Sequence, residues 1–93
     1  MIKVQELLDA TLDLRKSPDS MLLYINGIPV VDYKLTNING ELLLELIEGD
    51  YLEEHVNLAE LLSYVEGEEL MELSTHLRHV RNFDVIQDRI ELT

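Results

Sequence analysis

The sequence predicts an α+β fold. It reads as a three-stranded antiparallel meander covered by an N-terminal helix and one or two C-terminal helices, with an extra C-terminal strand after them. Three observations carry that reading. Val4, Leu7, Leu8, Thr11 and Leu12 recur at the spacing of one helix face. Asn26-Gly27 and Asn39-Gly40 separate apolar runs as tight hairpin turns do, because both residue types tolerate positive φ. Leu58, Leu61, Leu62 and Val65, then Leu70, Leu73, Leu77 and Val80, recur again at helical steps. At 93 residues the chain is long enough for one domain, 1–93, with a single core.

The first helix is expected over residues 3–15. Glu6 lies in its first turn, and Arg15 and Lys16 lie at its end, as the helix dipole favours. Ser17-Pro18-Asp19-Ser20 stops it. Met21 to Ile25 reads as the first strand and Ile28 to Thr36 as its return. Val31, Tyr33 and Leu35 fall on one face of the return strand, and Asp32 and Lys34 on the other. Pro29 lacks an N–H, which places it near a strand start or on an edge. Glu41 to Glu48 is the third strand, with Glu41 and Glu45 assigned to its solvated face. Asn57 with Glu60 forms a capping-box signature, stapled by Val56 and Leu61, while Asp50 with Glu53 offers an earlier start for the same helix. Gly67 is its expected stop.

Residues 68–81 read as a helix, with Glu68 and Glu69 at its start and Arg78, His79 and Arg81 at its end. A second reading competes. Asn57-Leu58-Ala59-Glu60-Leu61-Leu62 echoes Lys3-Val4-Gln5-Glu6-Leu7-Leu8, and Arg89-Ile90-Glu91-Leu92 echoes Leu43-Leu44-Glu45-Leu46. If the second half repeats the first, Leu70–Ser74 is a strand. Asp84–Leu92 reads as the terminal strand, with a hairpin at Gln87-Asp88-Arg89 as its variant.

Charge separates the chain into unequal parts. Between Leu35 and Leu77 there are eleven acidic residues and neither lysine nor arginine, while the whole chain carries a formal charge of −12. Such a chain is repelled by phosphate backbones and anionic lipid, so direct nucleic-acid and membrane binding are not expected. The longest apolar run, Met21–Ile25, is far too short to span a bilayer. The absence of cysteine rules out disulfides and thiolate metal sites, and it suits a reducing cytoplasm.

No catalytic signature is present. Ser17, Ser20, Ser63 and Ser74 lie in no nucleophile elbow, and glycine-rich phosphate loops are missing. No cofactor is expected. Glu72, His76 and His79 would share one face of a helix over 68–81 and could hold zinc. Their spacing matches no established motif, and a helix C-terminus explains the histidines equally well, so no metal site is assigned.

The acidic stretch itself remains as the candidate site. A purely solubilising surface interleaves both signs, and this one does not. The expectation is a non-enzymatic acidic face that binds a basic protein partner through Asp50, Glu53, Glu54, Glu66, Glu68, Glu69 and Glu72. One form of it is a nucleic-acid mimic. A duplex carries a charge every ~1.7 Å, whereas a helix with one acid per turn carries one every ~5.4 Å, so two adjacent acidic helical segments would be required. The alternative is a structural or assembly module that self-associates as a homodimer through Tyr51, Leu52 and Tyr64, its acids serving solubility alone.

The order of helix, meander and two helices, together with small size and acidity, resembles small phage-encoded anti-CRISPR proteins that mimic DNA. The opening Ile2-Lys3-Val4-Gln5-Glu6-Leu7-Leu8 followed by a hairpin also resembles small phage accessory proteins. The resemblance lies in layout and charge, and it implies a phage or mobile-element origin and an inhibitory binding role.

Overall fold

The computed structural model describes residues 1–50 and 54–93. Helix α1 spans Val4–Asp13, followed by a single 3₁₀ turn at Pro18–Ser20. Strands β1 (Leu22–Ile25), β2 (Ile28–Ile38) and β3 (Glu41–Glu48) form the expected antiparallel meander. Helix α2 is Leu58–Tyr64, and four strands follow it: β4 (Leu73–Thr75), β5 (Arg78–His79), β6 (Phe83–Ile86) and β7 (Arg89–Leu92). The α+β class therefore holds, but the meander is only the middle of a seven-stranded mixed sheet in the order β5-β4-β3-β2-β1-β7-β6. No helix among the described residues is long and apolar enough to cross a membrane.

The helix expected over 68–81 does not form. Of its stripe, Leu73 and Val80 are fully buried, but Leu70 and Leu77 are 71 % and 66 % exposed, which no single buried helix face allows. Leu73, Ser74 and Thr75 are buried consecutively, as a strand covered on both faces requires. Serine and threonine are poor helix formers, so the local preference was weak. Long-range partners then captured the backbone: β4 runs parallel to β3, and Leu73 N–H donates to Ile2 O at 2.8 Å. The competing reading, strand at Leu70–Ser74, has the right type of element but overlaps β4 only at Leu73 and Ser74, since Leu70 lies in a turn.

The echo between the halves extends to three dimensions. Lys3 bridges to Glu72 just before β4, and Asn57 bridges to Leu22 at the start of β1. Ile2 N–H donates to Val80 O, and Val56 N–H donates to Val30 O. Val4 N–H donates to Met71 O, and Leu58 N–H donates to Met21 O. Each half is thus one helix followed by two hairpins, and the two halves are interlocked. The helix of either half starts against the first hairpin of the other. The last strand of either half, β3 or β7, lies parallel to the first strand of the other, β4 or β1.

Two features of the chain bear on the shape of the sheet. Strand β2 shifts register between Val30 and Asp32, a bulge that bends it. At the equivalent place in the second half, Val80-Arg81-Asn82 joins β5 to β6. Those are the two edge strands, so three residues of chain hold the opposite edges of the sheet near each other. Inside lies one cluster drawn from both halves, including Leu7, Leu23, Leu44, Leu46, Leu58, Leu61, Leu73, Ile90 and Leu92. Tyr33 packs partly against this cluster, while Asp32 and Lys34 are exposed.

Candidate functional site

Register places a polar group on the outer face of β3, β4 and β5. Ser74 on β4 is the partner of Glu45 on β3 and of His79 on β5, so the three side chains leave the sheet on one side. Glu45 was expected on a solvated face, but it is buried. The β4–β5 turn covers it: Ser74 Oγ donates to Glu45 Oε1 at 2.5 Å, and Leu77 N–H donates to Oε2 at 3.2 Å. The other half repeats the device, since Gly27 N–H of the β1–β2 turn donates to Glu91 Oε2 at 3.2 Å. Glu45 and Glu91 therefore each brace a hairpin turn, a structural role.

Glu72, His79 and Glu41 have no such counterpart. His79 stands between two carboxylates, with Nδ1 3.3 Å from Glu72 Oε2 and Nε2 3.4 Å from Glu41 Oε2. Glu72 Oε2 and His79 Nδ1 are buried, yet neither makes a hydrogen bond to any of the described residues. In the first half the places of Glu72 and His79 are taken by Leu22 and Pro29, which sit in the same backbone setting. The fold does not require charge there. A cleft of about 350 Å³ opens beside this group, lined by Met1, Ile38, Glu41, Leu77, Arg78 and His79 among others.

Of the residues expected at a helical zinc site, the structure joins Glu72 and His79 and separates His76. The His76 ring pairs with Glu48 at the far end of β3. Glu41 takes the third place. It lies outside the segment that periodicity grouped, and only the β3–β4 pairing could have found it.

The expected acidic face is dispersed. Asp50 is exposed just after β3, Glu54 is exposed before α2, and Glu66 and Glu68 are exposed in the turns after it. Glu69 is half-buried; its backbone carbonyl accepts from Gln5 N–H at 2.8 Å, and its carboxylate accepts from Gly67 N–H at 3.3 Å. Glu72 belongs to the histidine group. Glu53 lies outside the described residues. Because residues 68–75 are turn and strand, the two acidic helical segments needed for a mimic do not both exist. Of the apolar candidates, Tyr51 and Leu52 lie outside the described residues, and Tyr64 packs edge-on against Tyr33 with centroids 4.9 Å apart.

Comparison with protein-family models, curated proteins and solved structures found no match.

A second polar cluster flanks the opposite hairpin. The Arg89 guanidinium lies 4.6 Å from the centroid of Tyr24, whose ring meets His55 edge-on at 4.8 Å. His55 Nε2 donates to Leu23 O at 3.1 Å, which leaves the other ring nitrogen as the acceptor in the neutral form. This arrangement fastens the 54–57 segment to β1 and explains these residues without invoking a ligand.

Proposed function

We propose that the chain is a non-enzymatic binding module that presents uncompensated carboxylates to a basic protein surface in a reducing cytoplasm. The observation that carries this reading is the pairing pattern. Among the described residues the only ion pair of a carboxylate with lysine or arginine is Arg89–Glu91. Among the described residues, the acids of the Leu35–Leu77 stretch form ion pairs only with histidine. Glu54, Glu66 and Glu68 are exposed, and their carboxylates make no hydrogen bond or ion pair among the described residues. An acidic surface left free in this way attracts a cationic partner and accelerates its encounter. Inhibition of a nucleic-acid-binding protein by occupation of its basic groove is the specific form of the proposal. It now rests on charge, since paired acidic helices are not available.

The test is a pull-down with the wild type and with Glu54→Lys/Glu66→Lys/Glu68→Lys. These three positions lie clear of the core, so the fold is retained. The expected result is a partner held by the wild type at low salt, lost steeply as salt rises, and lost in the triple variant at all salts. Equal retention by both proteins would end the reading. A second reading, self-association, is favoured by the exposure of Leu12, Leu14 and Tyr64. It requires a dimer in sedimentation at micromolar concentration.

A further inference from the structure

We propose that Glu41, Glu72 and His79 form a site for one divalent transition-metal ion of the zinc class. The site goes beyond the acidic-surface reading and does not depend on it.

The three side chains offer one ligand atom each, all within 4.8 Å of one another. Ligands about 2.0–2.2 Å from a tetrahedral ion stand roughly 3.3–3.5 Å apart. The 3.3 Å between His79 Nδ1 and Glu72 Oε2 has that value, whereas the 3.4 Å to Glu41 Oε2 is measured from the other ring nitrogen, Nε2, so Glu41 joins the same ion by a side-chain shift within the 4.8 Å that spans the group. Both separations are long for charge-assisted hydrogen bonds, which close to about 2.7–2.9 Å. The buried oxygen of Glu72 and the buried Nδ1 of His79 face each other without the alignment of a donor and an acceptor. Buried polar atoms are rarely left so, and a shared cation would satisfy both.

The placement is specific to one half of the molecule. Leu22 and Pro29 occupy the places of Glu72 and His79 in the other half, so the architecture alone does not account for the charged pair. The adjoining cleft gives an ion access from solvent. Arg78 lines the same cleft, but its guanidinium donates to the carbonyls of Thr93 and His79, at 3.3 and 3.4 Å. One imidazole with two carboxylates suits zinc and its first-row neighbours, whereas calcium and magnesium prefer oxygen alone. Coordination through three protein ligands leaves a fourth position for water.

Zinc chloride titrated into the full-length protein tests the proposal. Calorimetry and the ring-nitrogen NMR signals of the three histidines are recorded with excess magnesium present, to occupy general acidic binding. The expected result is one ion per chain, with ring-nitrogen shifts at His79 and not at His76 or His55. Glu41→Gln and His79→Gln should each weaken zinc at least about tenfold, while His76→Gln leaves it unchanged. Both altered positions are partly solvent-exposed, and the NMR readout on the wild type does not depend on any variant folding. Saturating zinc that leaves the His79 signals unmoved would overturn the proposal. So would binding that His76→Gln abolishes, or a His79 ring that stays doubly protonated at neutral pH and ignores zinc, which would mark an imidazolium held between two carboxylates.

Discussion

Glu45 and Glu41 lie on the same face of one strand, yet they differ in consequence. Glu45 is 6 % exposed and accepts from both Ser74 and Leu77. Truncating it leaves the buried Ser74 hydroxyl and the part-buried Leu77 N–H without this partner, at a cost of about 1–3 kcal/mol. Glu45→Ala should therefore lower the urea midpoint clearly, whereas Glu41→Ala, at an exposed position, should change stability by no more than about 0.5 kcal/mol. Tyr33 supplies a pH prediction. Burial, and then the charges of Glu60 and Asp32, raise its phenol above the ordinary 10.0. A group whose folded pKa is raised contributes stability below its unfolded pKa and loses it as pH rises through the folded value. Melting temperature should thus fall above about pH 10, and Tyr33→Phe should remove part of that fall. An unchanged alkaline profile in the variant would deny Tyr33 the effect.

Among the elements, the two first hairpins turn alike on different residues. Asn26 and Gly27 have φ of 51° and 81°, as their sequence signal requires; His76 and Leu77 adopt 52° and 59° without it. Leucine in the left-handed region costs ~1–2 kcal/mol. Its side chain is 66 % exposed, so little packing would be lost on removing it. Leu77→Gly should stabilise the protein by roughly 0.5–1 kcal/mol, after the added entropy of the unfolded chain is deducted. Denaturant titration decides it; a loss of stability would mean that Leu77 serves the turn by contact. The opposite case is α2. Asn57 Oδ1 accepts from Glu60 N–H at 2.9 Å, as the capping signature predicts. Asn57→Ala should cost ~1 kcal/mol.

The interlocking of the halves governs the whole molecule. Neither half can complete its core, because each helix begins on the other half's hairpin and each final strand pairs across the molecule. Residues 1–50 and 51–93 made as separate chains should each lack cooperative unfolding, and mixing them should restore it as a one-to-one complex. Circular dichroism with sedimentation measures both. A half that folds alone would contradict the interlocked arrangement. The same arrangement explains why the histidine group draws Glu41 from one half and Glu72 and His79 from the other. The zinc-class site, if filled, ties the halves together.

By itself the sequence determined what neighbouring residues can settle. Asn-Gly pairs fixed the first two hairpins, the stripe from Val4 to Thr11 fixed α1, and Asn57 fixed the start of α2, because turn, period and cap energies act within a few residues. It also determined the uncompensated charge of Leu35–Leu77, which no folding can alter. Only the tertiary structure decided the fate of 68–81, the burial of Glu45 and the meeting of Glu41 with His79. There the local preferences of Ser74 and Thr75 were weak, and hydrogen bonds from Ile2 and from β3, distant in the chain, outweighed the helical spacing of the leucines. The faint echo between the halves held that information, but only paired strands made it legible.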